Sequence, residues 1–203
     1  MKNLFLLAFS LLLGTAFLCN PVGAQQPPTT PGDYQIGERL QPVQPGKSGD
    51  YQKIDWDDLV PADWLSQEWL DSLNVDDFED DDPRAMELLN TILEKWNEAP
   101  VLEEFDGRRV RIAGFVVPLE GDDRNIHEFL LVPYFGACIH VPPPPANQII
   151  HVLPAKPIPS QWLMMPVWVQ GKMEVERLDS DMGSAGYRIQ ASRVEEFTDA
   201  STY

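Results

Sequence analysis

Five segments of alternating hydrophobicity, set behind a helical and tryptophan-rich front, predict an α+β protein built on a small five-stranded antiparallel OB-like β-barrel. Two observations carry that expectation. The hydrophobic period switches from helical to two-residue spacing beyond Pro100, and Gly114 sits inside the longest strand, where it permits the bend a closing barrel needs. An open sheet backed by the helices fits the same pattern.

Taken in order, the elements begin with an export signal. Lys2, the apolar stretch Leu4 to Leu18 and the small residues Val22-Gly23-Ala24 predict a signal peptide over residues 1–24. The apolar stretch is too short, and too close to the cut site, for a membrane span. The chain is therefore expected to be periplasmic or secreted. A lipoprotein acylated at Cys19 is the alternative, but Leu18 is larger than the residue that normally precedes a lipidated cysteine. Residues 25–50, rich in Pro, Gly and Gln, read as a flexible linker that adds little to a core.

Residues 51–100 read as an acidic helical segment packing on the barrel. Two helical segments are expected. The first follows Pro61, with Trp64, Leu65, Trp69, Leu70 and Leu73 at helical intervals. The second starts from an Asp82 cap and Pro83, carries the apolar stripe Met86, Leu89, Leu93 and Trp96, and ends at Glu98-Ala99-Pro100. Residues 101–203 form the barrel domain. Its strands are expected at Arg109 to Leu119, Glu128 to Pro133, Gln148 to Leu153, Val167 to Glu176 and Tyr187 to Ala191. On the fourth, Val167, Val169, Met173 and Val175 share one face.

The net charge of −17 repels nucleic acid and anionic headgroups, which makes both poor partners. Cations and basic protein surfaces are better ones. The run Asp76-Asp77-Phe78-Glu79-Asp80-Asp81-Asp82 reads as a solvated loop, since it lacks the alternating ligands and glycine turn of a calcium loop.

All three histidines, His127, His140 and His151, share one window with Cys138, the cysteine that would remain after leader removal. A lone thiol in an oxidising compartment is buried, metal-bound or reactive. If the segment is extended, Cys138 and His140 point the same way. Folding it about Pro143 and Pro144 would set His140 opposite Asn147, Cys138 opposite Ile149, and Gly136 opposite His151. Diagonal positions roughly 7 Å apart would then let Cys138, His140 and His151 share a metal. A slip of one residue would send His151 to the other face. Thiolate plus two imidazoles suits zinc and also copper. His127, Asp122 or Asp123 are candidates for a fourth ligand, although His127 beside Glu128 reads first as a surface residue.

Plainer readings stand beside this one. Cys138 fits a small buried hydrophobe, His151 a core histidine satisfied by a backbone carbonyl, and Asn147 a residue that shapes the turn. A thiol enzyme would need Cys138 as nucleophile, His151 or His140 as base, and the Gly136 and Ala137 N–H groups as oxyanion donors. No serine elbow, phosphate loop, dinucleotide fingerprint or zinc-protease helix is present.

Gly114-Phe115-Val116-Val117-Pro118-Leu119, Glu128-Phe129-Leu130-Leu131-Val132-Pro133, Cys138-Ile139-His140-Val141-Pro142-Pro143-Pro144-Pro145-Ala146-Asn147-Gln148 and Val167-Trp168-Val169-Gln170-Gly171 together resemble an uncharacterised bacterial family, domain of unknown function 3299. The resemblance runs from about Ile54 to Phe197. It implies an exported bacterial protein with an OB-like domain, whose relatives accompany export-type ABC transporter components and metal-responsive genes. No activity comes with it. The expected function is a zinc-binding accessory, with copper as the other metal, in envelope metal handling or ABC-type transport. The alternatives are a metal-free adaptor docking on a membrane partner, and a thiol-dependent enzyme.

Overall fold

A computed structural model describes residues 34–40, 46–64 and 83–197. The order of elements is β1 (Gly46–Ser48), β2 (Tyr51–Lys53), α1 (Pro83–Asn97), β3 (Arg109–Gly121), β4 (Asn125–Val132), β5 (Ile150–Pro154), β6 (Ile158–Pro159), β7 (Pro166–Glu174), β8 (Leu178–Ser180), β9 (Gly183–Ala185) and β10 (Tyr187–Glu196). Each of the five expected barrel strands is present, as β3, β4, β5, β7 and β10.

Around the barrel, β3 pairs with β4, β4 with β5, β5 with β10, β10 with β7, and β7 with β3 again. The expectation of an antiparallel barrel is corrected at one contact: β5 and β10 run parallel, with Tyr187 opposite Ile150 and Ala191 opposite Pro154. Parity explains it. Strand directions cannot alternate all the way round a closed ring of five, so one neighbouring pair must agree. The chain places that pair where β6, β7 and the small β8–β9 hairpin separate β5 from β10 in sequence.

The two faces of the strands support two cores. Val110, Ile112 and Val116 of β3, Phe129 and Leu131 of β4, Ile150 and Val152 of β5, Val167, Val169 and Met173 of β7, and Ile189 of β10 fill the barrel. Alternate residues Phe115, Val117, Leu130 and Val132 point outward, yet they too are buried, under Tyr34, Phe135, Ala137 and Ile149. Tyr34 lies edge-on to Phe115 at 5.0 Å and stacks near Phe135 at 5.9 Å. Part of the expected linker is thus core, because the outer face of β3 and β4 is too apolar to be left wet.

Ahead of the barrel, Trp56–Leu59 is a 3-10 turn, closed by a capping box between Asp55 and Asp58. Trp56 donates its indole N–H to the Ala113 carbonyl at 2.7 Å. Gly114 makes that approach possible: a Cβ there would lie 2.8 Å from the Trp56 ring, from Leu131 Cγ and from the Val132 carbonyl. α1 starts at Pro83 as expected. Its apolar stripe is less buried than expected, with Met86 and Leu89 exposed and Leu88, Ile92, Leu93 and Trp96 half-covered. The other expected helix falls mostly on residues 65–82, outside the described residues. No helix among the described residues is long and apolar enough to cross a membrane.

Candidate functional site

The Cys/His window joins β4 to β5 across the outer face. Pro133 has no N–H to extend the β4 ladder, and the N-terminal arm takes over: Phe135 donates to the Glu38 carbonyl and Gly37 to the Phe135 carbonyl, both at 2.9 Å. The chain then coils tightly. The Gly136 carbonyl accepts from the N–H groups of Ile139, His140 and Val141 at 3.3, 2.8 and 3.3 Å. Gly136 has φ +83° and Cys138 has φ +64°. The left-handed conformation is costly for a residue bearing a Cβ.

This turn changes the expected geometry. Cys138 and His140 are not on an extended segment, so the two-residue rule for their directions does not apply. The loop does not fold back symmetrically either, because Ala146–Gln148 is a 3-10 turn and β5 starts only at Ile150. His151 stands opposite Leu130 and Arg188, not Gly136. The structure therefore brings Cys138 and His140 into one turn and places His151 apart from them, on barrel strand β5. Among the described residues, no three His, Cys, Asp or Glu side chains are grouped so as to hold a metal ion.

Each residue has a distinct setting. Cys138 is half-buried against the outer-face core, and burial pushes its thiol pKa up to about 12. That is the reverse of the depressed value a reactive thiolate requires. His140 is exposed, with Ile139 and Pro142 also at the surface. His127 is exposed and faces Asp122 at 3.4 Å. The Asp122 carboxyl is held below its ordinary range, first by the N–H groups of Arg124 and Asn125 and then by His127.

His151 is buried on the outward side of β5, 3% exposed, with Nε2 at 2.6 Å from Glu128 Oε1. The Arg188 guanidinium approaches its Nδ1 at 3.4 Å and also pairs with Glu176. Guanidinium only donates, so Nδ1 is the accepting nitrogen and Nε2 carries the proton given to Glu128. Glu128, Arg188 and Glu176 complete a polar row that sequence reasoning missed. They lie on separate segments: strand register sets Glu128 and Arg188 beside His151, and Arg188 reaches Glu176 just beyond β7.

The proline block ends in a latch. Asn147 donates from Nδ2 to the Pro100 carbonyl at 3.0 Å, while its Oδ1 is buried without a hydrogen-bond partner among the described residues. Gln148 donates to the Trp56 carbonyl at 3.2 Å and accepts from Arg39 at 2.8 Å. Gly186 donates to the Ala146 carbonyl at 2.7 Å. One short segment thus ties the N-terminal arm, the Trp56 turn, the end of the helical segment and the start of β10.

Comparison with known proteins places this arrangement in a family. The family model described as "Protein of unknown function (DUF3299)" matches residues 56–196. A crystal structure of a DUF3299 family protein from Pseudomonas aeruginosa is similar at 34% sequence identity and a TM-score of 0.54, covering 73% of this chain and 97% of that one. No curated protein matches the chain. The match spans the Trp56 turn, α1, the barrel and the whole Cys/His window, and on it the chain belongs to the DUF3299 family.

Proposed function

We propose that the chain is an exported, non-enzymatic adaptor of the bacterial envelope, an OB-like barrel that presents the β4–β5 loop to a protein partner. The observation that carries this reading is the commitment of the loop's polar groups. Asn147 and Gln148 bond to backbone carbonyls of other segments, His151 is engaged by Glu128 and Arg188, and burial suppresses the Cys138 thiolate. What the loop leaves outward is a rigid tip: Ile139, His140 and Pro142, with exposed Ile36 against Gly136. A preorganised tip loses little entropy on docking. Net charge −17 favours a partner with a basic face, an envelope or ABC-transporter protein in this reading.

The barrel order β3-β4-β5-β10-β7, returning to β3 with one parallel contact, supports the OB-like description. Export through residues 1–24 to a periplasmic or secreted location belongs to the same proposal. A mature N-terminus at Gln25 checks it, and an acylated Cys19 would replace it. For docking, a photo-crosslinker replacing Ile139 is expected to capture one envelope protein. That protein, once purified, should bind the wild type and lose affinity for an Ile36→Asp/Ile139→Asp variant. Equal binding by the variant would sink the adaptor reading.

A second reading is metal accessory function. It is favoured by one observation, that Cys138 and His140 share a single turn and His140 is exposed. Zinc, or copper as Cu(I), would take these two donors and complete its shell elsewhere, with His151 joining only by leaving Glu128. Elemental analysis of untagged protein beside a Cys138→Ser/His151→Ala variant decides it. Near-stoichiometric metal lost in the variant supports this reading; none in either, after exposure to zinc and Cu(I), ends it.

A further inference from the structure

β5 parts from β10 at Pro154, where the parallel ladder ends opposite Ala191 and the Ala155 N–H donates to the Ala191 carbonyl at 2.8 Å. A bulge between Ala191 and Arg193 redirects the second half of β10. From there to Glu196, β10 is paired with β7 alone among the described residues. The Phe197 N–H donates to the Pro166 carbonyl at 3.0 Å, which fixes the ladder's phase. Backbone groups of Arg193 and Glu195 therefore face β7, and those of Val194 and Glu196 face the open side. An unpaired strand edge of this kind is a template for strand addition.

A cleft of about 270 Å³ lies along that edge, between β10 and the Pro154–Trp162 segment. Its walls are mixed: Pro157, Ile158, Trp162 and Val194 supply the apolar part, and Lys156, Ser192 and Arg193 the polar part. Trp162 and Val194 pack against the barrel core, whereas Arg193 lies outward with Glu195, its ion-pair partner. An added strand would alternate its side chains between these two settings.

We propose that this cleft takes an extended acidic segment of a partner protein as an added strand next to β10. Apolar residues of the segment pack against Trp162 and Val194, and its alternate acidic residues reach Lys156 and Arg193. The ligand is selected against the sign of the whole molecule, since a chain of net charge −17 otherwise favours basic ligands. The proposal rests on the adaptor reading only in taking the ligand to be a protein segment, and it uses a surface distinct from the loop tip.

The test is selection of random decapeptides displayed on phage against the purified protein, followed by affinity measurement of the enriched sequences. Peptides alternating acidic and apolar residues are expected, with hydrogen-exchange protection of the Val194 amide when they bind. Val194→Pro removes a donor facing the open edge, where proline is tolerated, together with part of the Val194 packing on the core. It should weaken binding roughly tenfold or more while lowering the melting temperature by only about 2–4 °C. Lys156→Glu/Arg193→Glu should do the same without touching the backbone. Enrichment of basic peptides, no enrichment, or binding unaffected by the charge-reversed variant would overturn the proposal. So would self-association abolished by these substitutions, which assigns the cleft to a second copy. Either failure leaves the Ile139 cross-link as an independent test of the adaptor reading.

Discussion

The thiol of Cys138 sits half-buried over the outer-face core, and burial lifts its pKa from an ordinary value near 9 to about 12. Between those values the folded protein keeps a proton that the unfolded chain releases. The contribution to stability is therefore full below about pH 9 and declines as pH rises toward 12. Urea unfolding at about pH 8.5 and about pH 10.5 should show a steeper loss for wild type than for Cys138→Ala; parallel losses would contradict the burial argument. At neutral pH the native thiol should alkylate more than about tenfold slower than in the urea-unfolded chain, and equal rates would revive the thiol enzyme. His151 allows a similar test. Glu128→Leu leaves the Nε2–H buried without its acceptor and should cost about 1–3 kcal/mol, whereas Glu128→Gln keeps an acceptor and should cost less. Those residue types were legible in the sequence as a chemical window. Their states were not, because burial and a left-handed turn are set by distant segments.

Among the elements, the N-terminal arm departs most from what its composition implies. Proline, glycine and glutamine around it indicate a tether, yet Tyr34 is buried between Phe115 and Phe135. Truncating it should expose the outer core: Tyr34→Ala is expected to cost about 3 kcal/mol in denaturant unfolding. A cost under about 0.5 kcal/mol would return the arm to a tether. The proline block carries the complementary lesson. Its stiffness was readable, but its role as a latch depends on Asn147 and Gln148 meeting the carbonyls of Pro100 and Trp56. Strands were the easiest elements to place. Val167, Val169 and Met173 share the barrel interior because alternation is a local property of the pleat.

For the molecule as a whole, charge is the main global quantity. A net charge of −17 opposes compaction, and salt relieves that opposition as the screening length falls. Raising NaCl from about 0.01 M to about 0.15 M shortens that length from roughly 30 Å to roughly 8 Å, and the melting temperature should rise by about 2–4 °C. An unchanged or falling value would mean that the acidic groups are already balanced locally. Barrel closure is the other whole-molecule property. It imposes one parallel contact on five strands, and beyond the end of that contact part of β10 pairs with β7 alone among the described residues.

Periodicity, turn residues and the proline block determined on their own that this chain makes five barrel strands, a helix from Pro83 and a Cys/His-bearing loop, because each is a local preference of backbone and side chain. Family membership was legible for the same reason, in short contiguous blocks. Tertiary structure alone decided that β5 and β10 run parallel and that Tyr34 enters a second core. It also decided that His151 meets Glu128 and Arg188 rather than Cys138 and His140. Each of these depends on register and closure between segments far apart in the chain, which no local pattern encodes.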